Sequence, residues 1–196
     1  LHVFDFDKLK GHAINVRFAK KEEKFETLDH KERELSEDML LICDGEDAVA
    51  LAGIMGGTES EVSDDTVNVL IESAYFTPVV VRKGSKEQQL STDASKRFER
   101  GTDPNETLVY SQDRLASLIM ELADGTLAKG MIDVYPEPIA KKTANLRIDI
   151  VRRITGIDIS KEKCKRTLKD LDFTIEEEDE YSLTVKIPTF RPDVER

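Results

Sequence analysis

Residues 39–57 read MLLICDGEDAVALAGIMGG, and this stretch decides the fold of the first half of the chain. Two short apolar runs, Met39 to Cys43 and Ala48 to Leu51, are separated by polar turn residues, a pattern that predicts two β-strands. Gly53 to Gly57 follows the second run, and glycines there let backbone N–H groups approach a ligand closely. The segment lacks the Lys-Ser/Thr of a Walker loop and the G-x-G-x-x-G spacing, so spacing alone favours a tight turn over a binding loop.

Further strands and two helices are predicted around this stretch. Apolar, β-branched runs at 14–19 and 67–71 predict two more strands. Asp103-Pro104 offers an N-cap acid and a proline at the first helical position, and leucines then recur at helical spacing until Gly125, which predicts a helix. A shorter helix is predicted within 95–100. Strands with interspersed helices, in no strict alternation, indicate an α+β fold with a mixed or antiparallel sheet and flanking helices.

The character of the sequence changes near residue 141. Residues 133–142 read DVYPEPIAKK, whose two prolines and charged end indicate a linker, so we expect one domain at 1–140 and another at 141–196. In the second domain the sequence predicts a strand at 145–148 and a helix at 150–155 that Gly156 ends. A second helix follows, capped by Ser160 and with the apolar stripe Cys164, Leu168 and Leu171. A hairpin is predicted from 173–177 and 182–187. Helices followed by a hairpin resemble a small winged-helix-like α+β module, and such a likeness of shape gives no function.

The chain is acidic, and its charge is unevenly distributed. Its 196 residues carry 29 Lys and Arg against 40 Asp and Glu, a formal net charge of −11. Residues 1–140 hold 16 basic and 28 acidic side chains, whereas 141–196 hold 13 and 12. Because phosphate binding needs a basic field, this balance does not indicate a non-specific nucleic-acid surface, and we expect any RNA contact to be local or to come from other parts of a longer protein. In the segment 91–101 the basic residues are balanced by Asp93 and Glu99, which makes it a poor phosphate patch by itself.

Composition excludes other classes of protein. No apolar run approaches the roughly 18–20 residues that cross a bilayer, so no transmembrane helix is expected. Cys43 and Cys164 are too few and too far apart for a disulfide framework or a zinc site, which indicates two reduced cysteines. The three histidines lack metal-ligand spacing.

Two side chains outside the glycine segment are candidates for a site. Glu72 lies in the apolar run VLIESAYF, where an acid is costly unless it has a partner or points outward. If it is buried, it can accept a hydrogen bond from a ligand hydroxyl. His2, next to Phe4 and Asp5, is a candidate polar group in a pocket wall, although a lone histidine is more often structural.

Five stretches carry a resemblance to a known family. LHVFDFDKL, ALAGIMGG, ESAYF, STDASKRFERGTDP and IPTFRPDVER, in this order, resemble the beta subunit of bacterial phenylalanyl-tRNA synthetase. The resemblance implies a cytoplasmic heterotetramer of two alpha and two beta subunits, which uses ATP and Mg²⁺ to join phenylalanine to its tRNA in the alpha subunit. It implies that 1–140 are most of an editing domain lacking its N-terminal part, and that 141–196 are a winged-helix-like domain truncated at its C-terminal end.

The resemblance also implies roles for particular residues in the hydrolysis of tyrosine mischarged onto phenylalanine tRNA. It implies that Glu72 receives the phenol, that the backbone of Gly53 contacts the ligand, and that Gly56 lies in the same loop. Thr92 and Ala94 match small residues that shape the pocket, and His2 matches a histidine near the ester. Asp193 matches one ligand of a Mg²⁺ site whose other acids lie beyond Arg196, so no cofactor is expected in this chain.

Two alternatives to hydrolysis remain open at this point. The chain could capture tyrosine or aminoacylated tRNA without cleaving it, or it could be an architectural part of the heterotetramer. The stretch 86–89 departs from the family pattern, which usually has a glycine where Gln89 stands. Pocket residues of the family upstream of LHVFD are also missing. Either departure puts hydrolysis by this chain alone in question.

Overall fold

The computed structural model describes residues 1–195, and its contacts divide the chain into two units. The first unit comprises 1–102 and 107–129, and the second comprises 103–106 and the residues from Gly130 onward. Every strand pair in the described residues is antiparallel, and helices are interspersed, which confirms the α+β class. The domain boundary that the sequence places near residue 141 stays a prediction.

The first unit holds eight strands and three α-helices among the described residues. The strands are β1 (His2–Asp5), β2 (Asn15–Phe18), β3 (Glu23–Thr27), β4 (Lys31–Leu35), β5 (Leu40–Cys43), β6 (Ala48–Leu51), β7 (Met55–Gly56) and β8 (Val69–Glu72). The helices are α1 (Pro78–Glu87), α2 (Asp93–Phe98) and α3 (Thr107–Ala123). The four strands predicted from apolar runs are confirmed as β2, β5, β6 and β8.

A four-stranded sheet in the order β2-β5-β6-β7 carries the core of this unit. Residues 41–43 of β5 and 49–51 of β6 are at most 4% exposed, because side chains on both faces of these central strands are covered. Two further pairs, β1 with β8 and β3 with β4, lie outside this sheet. A single bridge between Thr27 and Gly57 connects the β3–β4 hairpin to the end of the sheet.

The sequence did not predict α1, and its composition explains why. Three consecutive valines and an internal Gly84 all lower helix propensity. Pro78 at the start of the helix favours it, and Val81, only 1% exposed, anchors it in the core. A Cβ on Gly84 would lie 3.0 Å from Ile54 Cδ1, so the glycine lets α1 pack closely on the sheet. Tertiary packing therefore decides this helix.

The predicted helix from Asp103 was wrong at its beginning. Asp103 Oδ1 accepts hydrogen bonds from the backbone N–H groups of Asn105 and Glu106, at 2.9 and 3.2 Å, so it stabilises a turn. The helix α3 begins at Thr107 and ends at Ala123. The left-handed residue after it is Asp124, with φ 51°, one residue before the Gly125 at which the sequence pattern stops. The short helix predicted within 95–100 is α2, which begins two residues earlier.

The second unit confirms the order of elements that the sequence predicts. It contains β9 (Thr143–Arg147), α4 (Ile148–Thr155), α5 (Lys161–Asp170), β10 (Thr174–Glu178) and β11 (Ser182–Lys186), with the strands in the order β10-β11-β9. Gly156 ends α4 with φ 74°, and Ser160 Oγ accepts a hydrogen bond from Lys163 N at 3.3 Å to cap α5. Among residues 1–195, no helix is both long and apolar enough to cross a membrane.

Candidate functional site

The β1–β8 ribbon brings together two of the residues that the sequence singles out. In the antiparallel register of these strands, His2 lies directly opposite Glu72. Side chains of directly opposed residues project from the same face of a ribbon, with their Cβ atoms about 5 Å apart. A carboxyl group and an imidazole are therefore neighbours, although seventy residues separate them in the sequence.

Glu72 carries a half-buried carboxyl group with no partner. Within residues 1–195, its side chain makes no hydrogen bond and no ion pair. Burial raises the pKa of Glu72 above its usual range, and the positive charge of the first amino group opposes this only in part. The sequence left open whether this side chain is buried or outward, and the structure places it in a desolvated environment. Such a group gains free energy from any ligand that donates a hydrogen bond to it.

The imidazole of His2 lies directly over Gly56. A Cβ at Gly56 would come within 2.7 Å of His2 Cε1 and 2.9 Å of His2 Nε2, so a larger residue would displace this ring. The ring also contacts Phe4, with centroids 4.4 Å apart. Burial lowers the pKa of His2, and the charge of the first amino group acts in the same direction. The neutral imidazole, with one donor and one acceptor nitrogen, is therefore the favoured form.

Gly53 lies at the tip of a tight turn, and its own backbone N–H and C=O are free within residues 1–195. The turn closes with a hydrogen bond from Ile54 N to Leu51 O at 2.9 Å, and Gly53 has φ 68°. A Cβ at Gly53 would lie 2.9 Å from Phe76 Cδ2 and 3.2 Å from Phe98 Cδ2, so both conformation and space require glycine. In the described residues, the N–H and C=O of Gly53 have no hydrogen-bond partner. The segment is thus a tight turn, as predicted, and it also presents free backbone groups.

Thr92 connects helix α2 to this turn. Its Oγ1 donates a hydrogen bond to Ile54 O at 2.7 Å and accepts one from Ser95 N at 3.0 Å, so it caps the helix and positions it beside the turn. Phe98, at the end of the same helix, contacts Phe76 with ring centroids 5.1 Å apart. Ala94 lies exposed on the first turn of α2, and its role in shaping a pocket stays a prediction.

The β3–β4 hairpin supports the site and was not predicted from the sequence. Leu28, in its turn, donates its N–H to Gly56 O at 3.0 Å, and its Cδ1 lies 3.2 Å from the Cβ position of Gly56. The guanidinium of Arg33 fixes this turn through hydrogen bonds to Thr27 Oγ1 at 2.8 Å and Asp29 Oδ2 at 2.7 Å. The alternation of Phe25 and Thr27, both buried, with charged neighbours is the signal that marks the strand.

Asp193, in the second unit, has a different environment. Both of its carboxylate oxygens accept hydrogen bonds from Arg191, at 2.9 and 2.8 Å, and this partner lowers the pKa of Asp193. Within residues 1–195, no group of three or more His, Cys, Asp or Glu side chains is arranged to hold a metal ion. A single carboxylate already engaged by an arginine does not fit the oxygen-rich coordination of Mg²⁺.

Comparisons with known proteins divide the chain in a similar way. A model of the B3/4 domain matches residues 1–124, and a model of the tRNA synthetase B5 domain matches 144–196. Over 196 residues the chain is 46% identical to the phenylalanine–tRNA ligase beta subunit of Geobacter metallireducens and 45% identical to that of Thermotoga maritima. Each match covers 100% of this chain and 24% of the relative, so the chain spans about a quarter of the length of these curated relatives.

One of the solved structures that match this chain is also part of a beta subunit. It is an N-terminal fragment of the phenylalanyl-tRNA synthetase beta subunit from Pyrococcus horikoshii, 17% identical in sequence, with a TM-score of 0.46. The match covers 100% of this chain and 55% of that one.

Proposed function

Because the chain belongs to the family of phenylalanine–tRNA ligase beta subunits, we propose that residues 1–140 form an editing domain that hydrolyses tyrosine mischarged onto phenylalanine tRNA. Residues 141–196 are then a winged-helix-like domain that follows it in the chain. In the whole ligase, which we propose is a cytoplasmic heterotetramer of two alpha and two beta subunits, the alpha subunit joins phenylalanine to its tRNA with ATP and Mg²⁺. The chain itself contributes no step of that reaction.

The observation that carries this proposal is the unpartnered carboxyl group of Glu72. Tyrosine differs from phenylalanine by one phenolic hydroxyl, which can donate a hydrogen bond to Glu72. Phenylalanine offers no such donor, so its binding would leave a desolvated carboxyl group without a partner. A site built around a hydrogen bond to a hydroxyl rejects the analogue lacking it far more strongly than an apolar pocket rejects an added hydroxyl.

The glycine turn and the imidazole of His2 can bind the aminoacyl ester end of the same substrate. The free N–H and C=O of Gly53 can bind polar groups of the aminoacyl moiety, and Phe76 and Phe98 beside it form an aromatic wall. Thr92 holds the turn and helix α2 together. Because Gly56 has no side chain, the imidazole of His2 can lie over it, and we place this ring near the ester.

The reaction is hydrolysis of an ester. The oxygen of a water molecule bonds to the carbonyl carbon, the bond from that carbon to the ribose oxygen breaks, and the ribose oxygen gains a proton. The neutral imidazole of His2 can hold or orient the water, and the neighbouring ribose hydroxyl of the tRNA can assist the proton transfer. Tyrosine and the free tRNA are the products.

The proposal is tested by deacylation of preformed tyrosyl-tRNA(Phe), with phenylalanyl-tRNA(Phe) as the second substrate. We expect the whole ligase, measured beside the chain alone, to release tyrosine selectively and Glu72→Ala to lower the preference for tyrosine about 10- to 100-fold, because a hydrogen bond to a charged or desolvated group is lost. Glu59→Ala, which removes an exposed carboxylate of the same unit, is the matched control and should leave the preference unchanged.

The alternatives predict other outcomes of the same experiment. Binding of tyrosyl-tRNA without release, abolished by Glu72→Ala, would favour a capture module. No difference between Glu72→Ala and the wild type, in either binding or release, would contradict the proposal and leave an architectural role.

A further inference from the structure

Helices α1 and α2 pack against each other and present a group of exposed cations. The α1–α2 cationic surface is defined by six exposed side chains, five on these helices and one just after α2: Arg82, Lys83, Lys86, Lys96, Arg97 and Arg100. On α1 these side chains lie opposite the buried Val81 and Gly84, so they face solvent. On α2, Ser95 is the buried residue, and Lys96 and Arg97 project away from it.

The cations of this surface are almost entirely unpaired. In the described residues the only ion pair among them joins Lys96 to Asp93 at 3.9 Å, a long and exposed contact. The side chains of the other five make no hydrogen bond or ion pair within residues 1–195. The sequence suggests that Asp93 and Glu99 balance the cations of 91–101; in the described residues Asp93 pairs with Lys96, and Glu99 makes no ion pair with any of these cations.

Ten basic side chains lie elsewhere in the first unit, and most of them form ion pairs. Seven of these ten have acidic partners within 4 Å: Lys8, Lys10, Arg17, Lys21, Lys24, Lys31 and Arg33. Residues 82–100 contain 6 basic and 3 acidic side chains, whereas the rest of 1–140 contains 10 and 25. The segment that contains α1 and α2 is therefore basic within an otherwise acidic unit.

This surface adjoins the candidate site through α2 itself. Thr92 at the beginning of α2 donates its hydrogen bond to Ile54 O in the glycine turn, and a Cβ at Gly53 would touch the ring of Phe98 near the end of α2. The helix therefore turns one side toward the site and its cations toward solvent. A ligand whose reactive end reaches the turn can extend its charged remainder along α2 and α1.

We infer that the α1–α2 cationic surface binds the phosphate backbone at the acceptor end of a tRNA whose aminoacyl ester lies in the candidate site. Phosphates complement unpaired Lys and Arg side chains, and their binding releases condensed counterions. The identity of the RNA rests on the proposed function, whereas the binding of phosphates rests on the charges of this surface. The acidic remainder of the unit confines such contacts to this place.

The inference is tested by binding of unacylated phenylalanine tRNA to the 196-residue chain at a series of salt concentrations. One variant combines Lys83→Gln, Lys86→Gln, Arg97→Gln and Arg100→Gln. The control variant removes the same charge from four other exposed lysines of the first unit, as Lys20→Gln, Lys21→Gln, Lys24→Gln and Lys129→Gln. Circular dichroism of all three proteins verifies that they are folded. Unacylated tRNA has no ester, so the result does not depend on whether the chain hydrolyses one.

We expect the surface variant to bind tRNA at least about tenfold more weakly at low salt, and to lower the slope of log K against log salt by about 3, which corresponds to four lost phosphate contacts. The control variant should stay within about threefold of the wild type. Equal weakening in both variants, no weakening in either, or no binding of tRNA by the wild type at low salt would overturn the inference. Equally tight binding of polyglutamate would assign the surface to an acidic protein partner and would overturn it as well.

Discussion

Glu72 in the first unit and Asp193 in the second are both carboxylates that the sequence singles out, and their environments are opposite. Glu72 is half-buried without a partner, and burial raises its pKa. Asp193 is exposed, Arg191 binds both of its oxygens, and this partner lowers its pKa. A polar group satisfied within the chain stabilises the fold, whereas a desolvated group left unsatisfied is available to a ligand. Other pairs of matching positions, one in each unit, also differ in their surroundings.

The largest effect is expected at two glycines with the same backbone conformation. Gly53 has φ 68° and is enclosed by Phe76 and Phe98, whereas Gly156 has φ 74° and no atom within 4 Å of its Cβ position. Gly53→Ala should lower the free energy of unfolding by about 2–5 kcal/mol, because left-handed strain and overpacking add. Gly156→Ala should cost only the strain, about 1–2 kcal/mol. Urea unfolding followed by circular dichroism measures both, and equal losses would show that the aromatic wall does not enclose the turn.

A smaller effect is expected at the two helix caps. Thr92→Ala removes both the cap of α2 and the hydrogen bond to Ile54 O, so it should lower the free energy of unfolding by about 1–2 kcal/mol. Ser160→Ala removes only the cap of α5 and should cost about 0.5–1 kcal/mol. The comparison is made by urea unfolding of each variant. A cost at Ser160 equal to or above that at Thr92 would contradict a connecting role for Thr92.

The smallest effects are expected at the two carboxylates themselves, and they have opposite signs. The raised pKa of Glu72 means that the folded state loses stability as the pH rises through that pKa, so Glu72→Gln should be more stable than the wild type at pH 7. The lowered pKa of Asp193 gives stability above its ordinary value of 3.8 that is lost as the pH falls through the lowered pKa, so Asp193→Asn should be slightly less stable at pH 7.

Unfolding of these two variants at pH 7 and at acidic pH measures the difference. Each variant should approach the wild type at acidic pH, because protonation then neutralises both carboxyl groups in either state. A loss of stability in Glu72→Gln at pH 7 would mean that the carboxylate has a stabilising partner, and the contrast between the two regions would fail.

Local pattern predicted much of the fold. Strands β5 and β6 are short apolar runs between turns, and α5 has a serine cap and an apolar stripe, so period and capping sufficed for these elements. Helix α1 was missed because its valines and glycine argue against a helix until the core covers Val81. The β3–β4 hairpin was missed because charged residues fill its outer face and hide the alternation of Phe25 and Thr27.

The site was predicted only in part, because contacts between residues far apart in the sequence decide it. The sequence and its resemblance indicated Glu72, His2 and the glycines, but the burial of Glu72 depends on its pairing with a strand seventy residues away. Leu28, which holds Gly56, lies in the hairpin that was missed. The unpaired cations of α1 and α2 were hidden because net charge in a sequence segment does not show which side chains meet.

The central claim is that Glu72 distinguishes a tyrosyl from a phenylalanyl ligand. The most direct measurement is an NMR titration of the chain with non-hydrolysable 3′-amide analogues of tyrosyl- and phenylalanyl-adenosine, following the side-chain carboxyl carbon of Glu72 and the amide of Gly53. We predict that the tyrosyl analogue shifts both signals and binds at least about tenfold more tightly than the phenylalanyl analogue, which fails to shift the Glu72 carbon. Equal affinities, or a tyrosyl complex in which the Glu72 carbon does not move, would contradict the account.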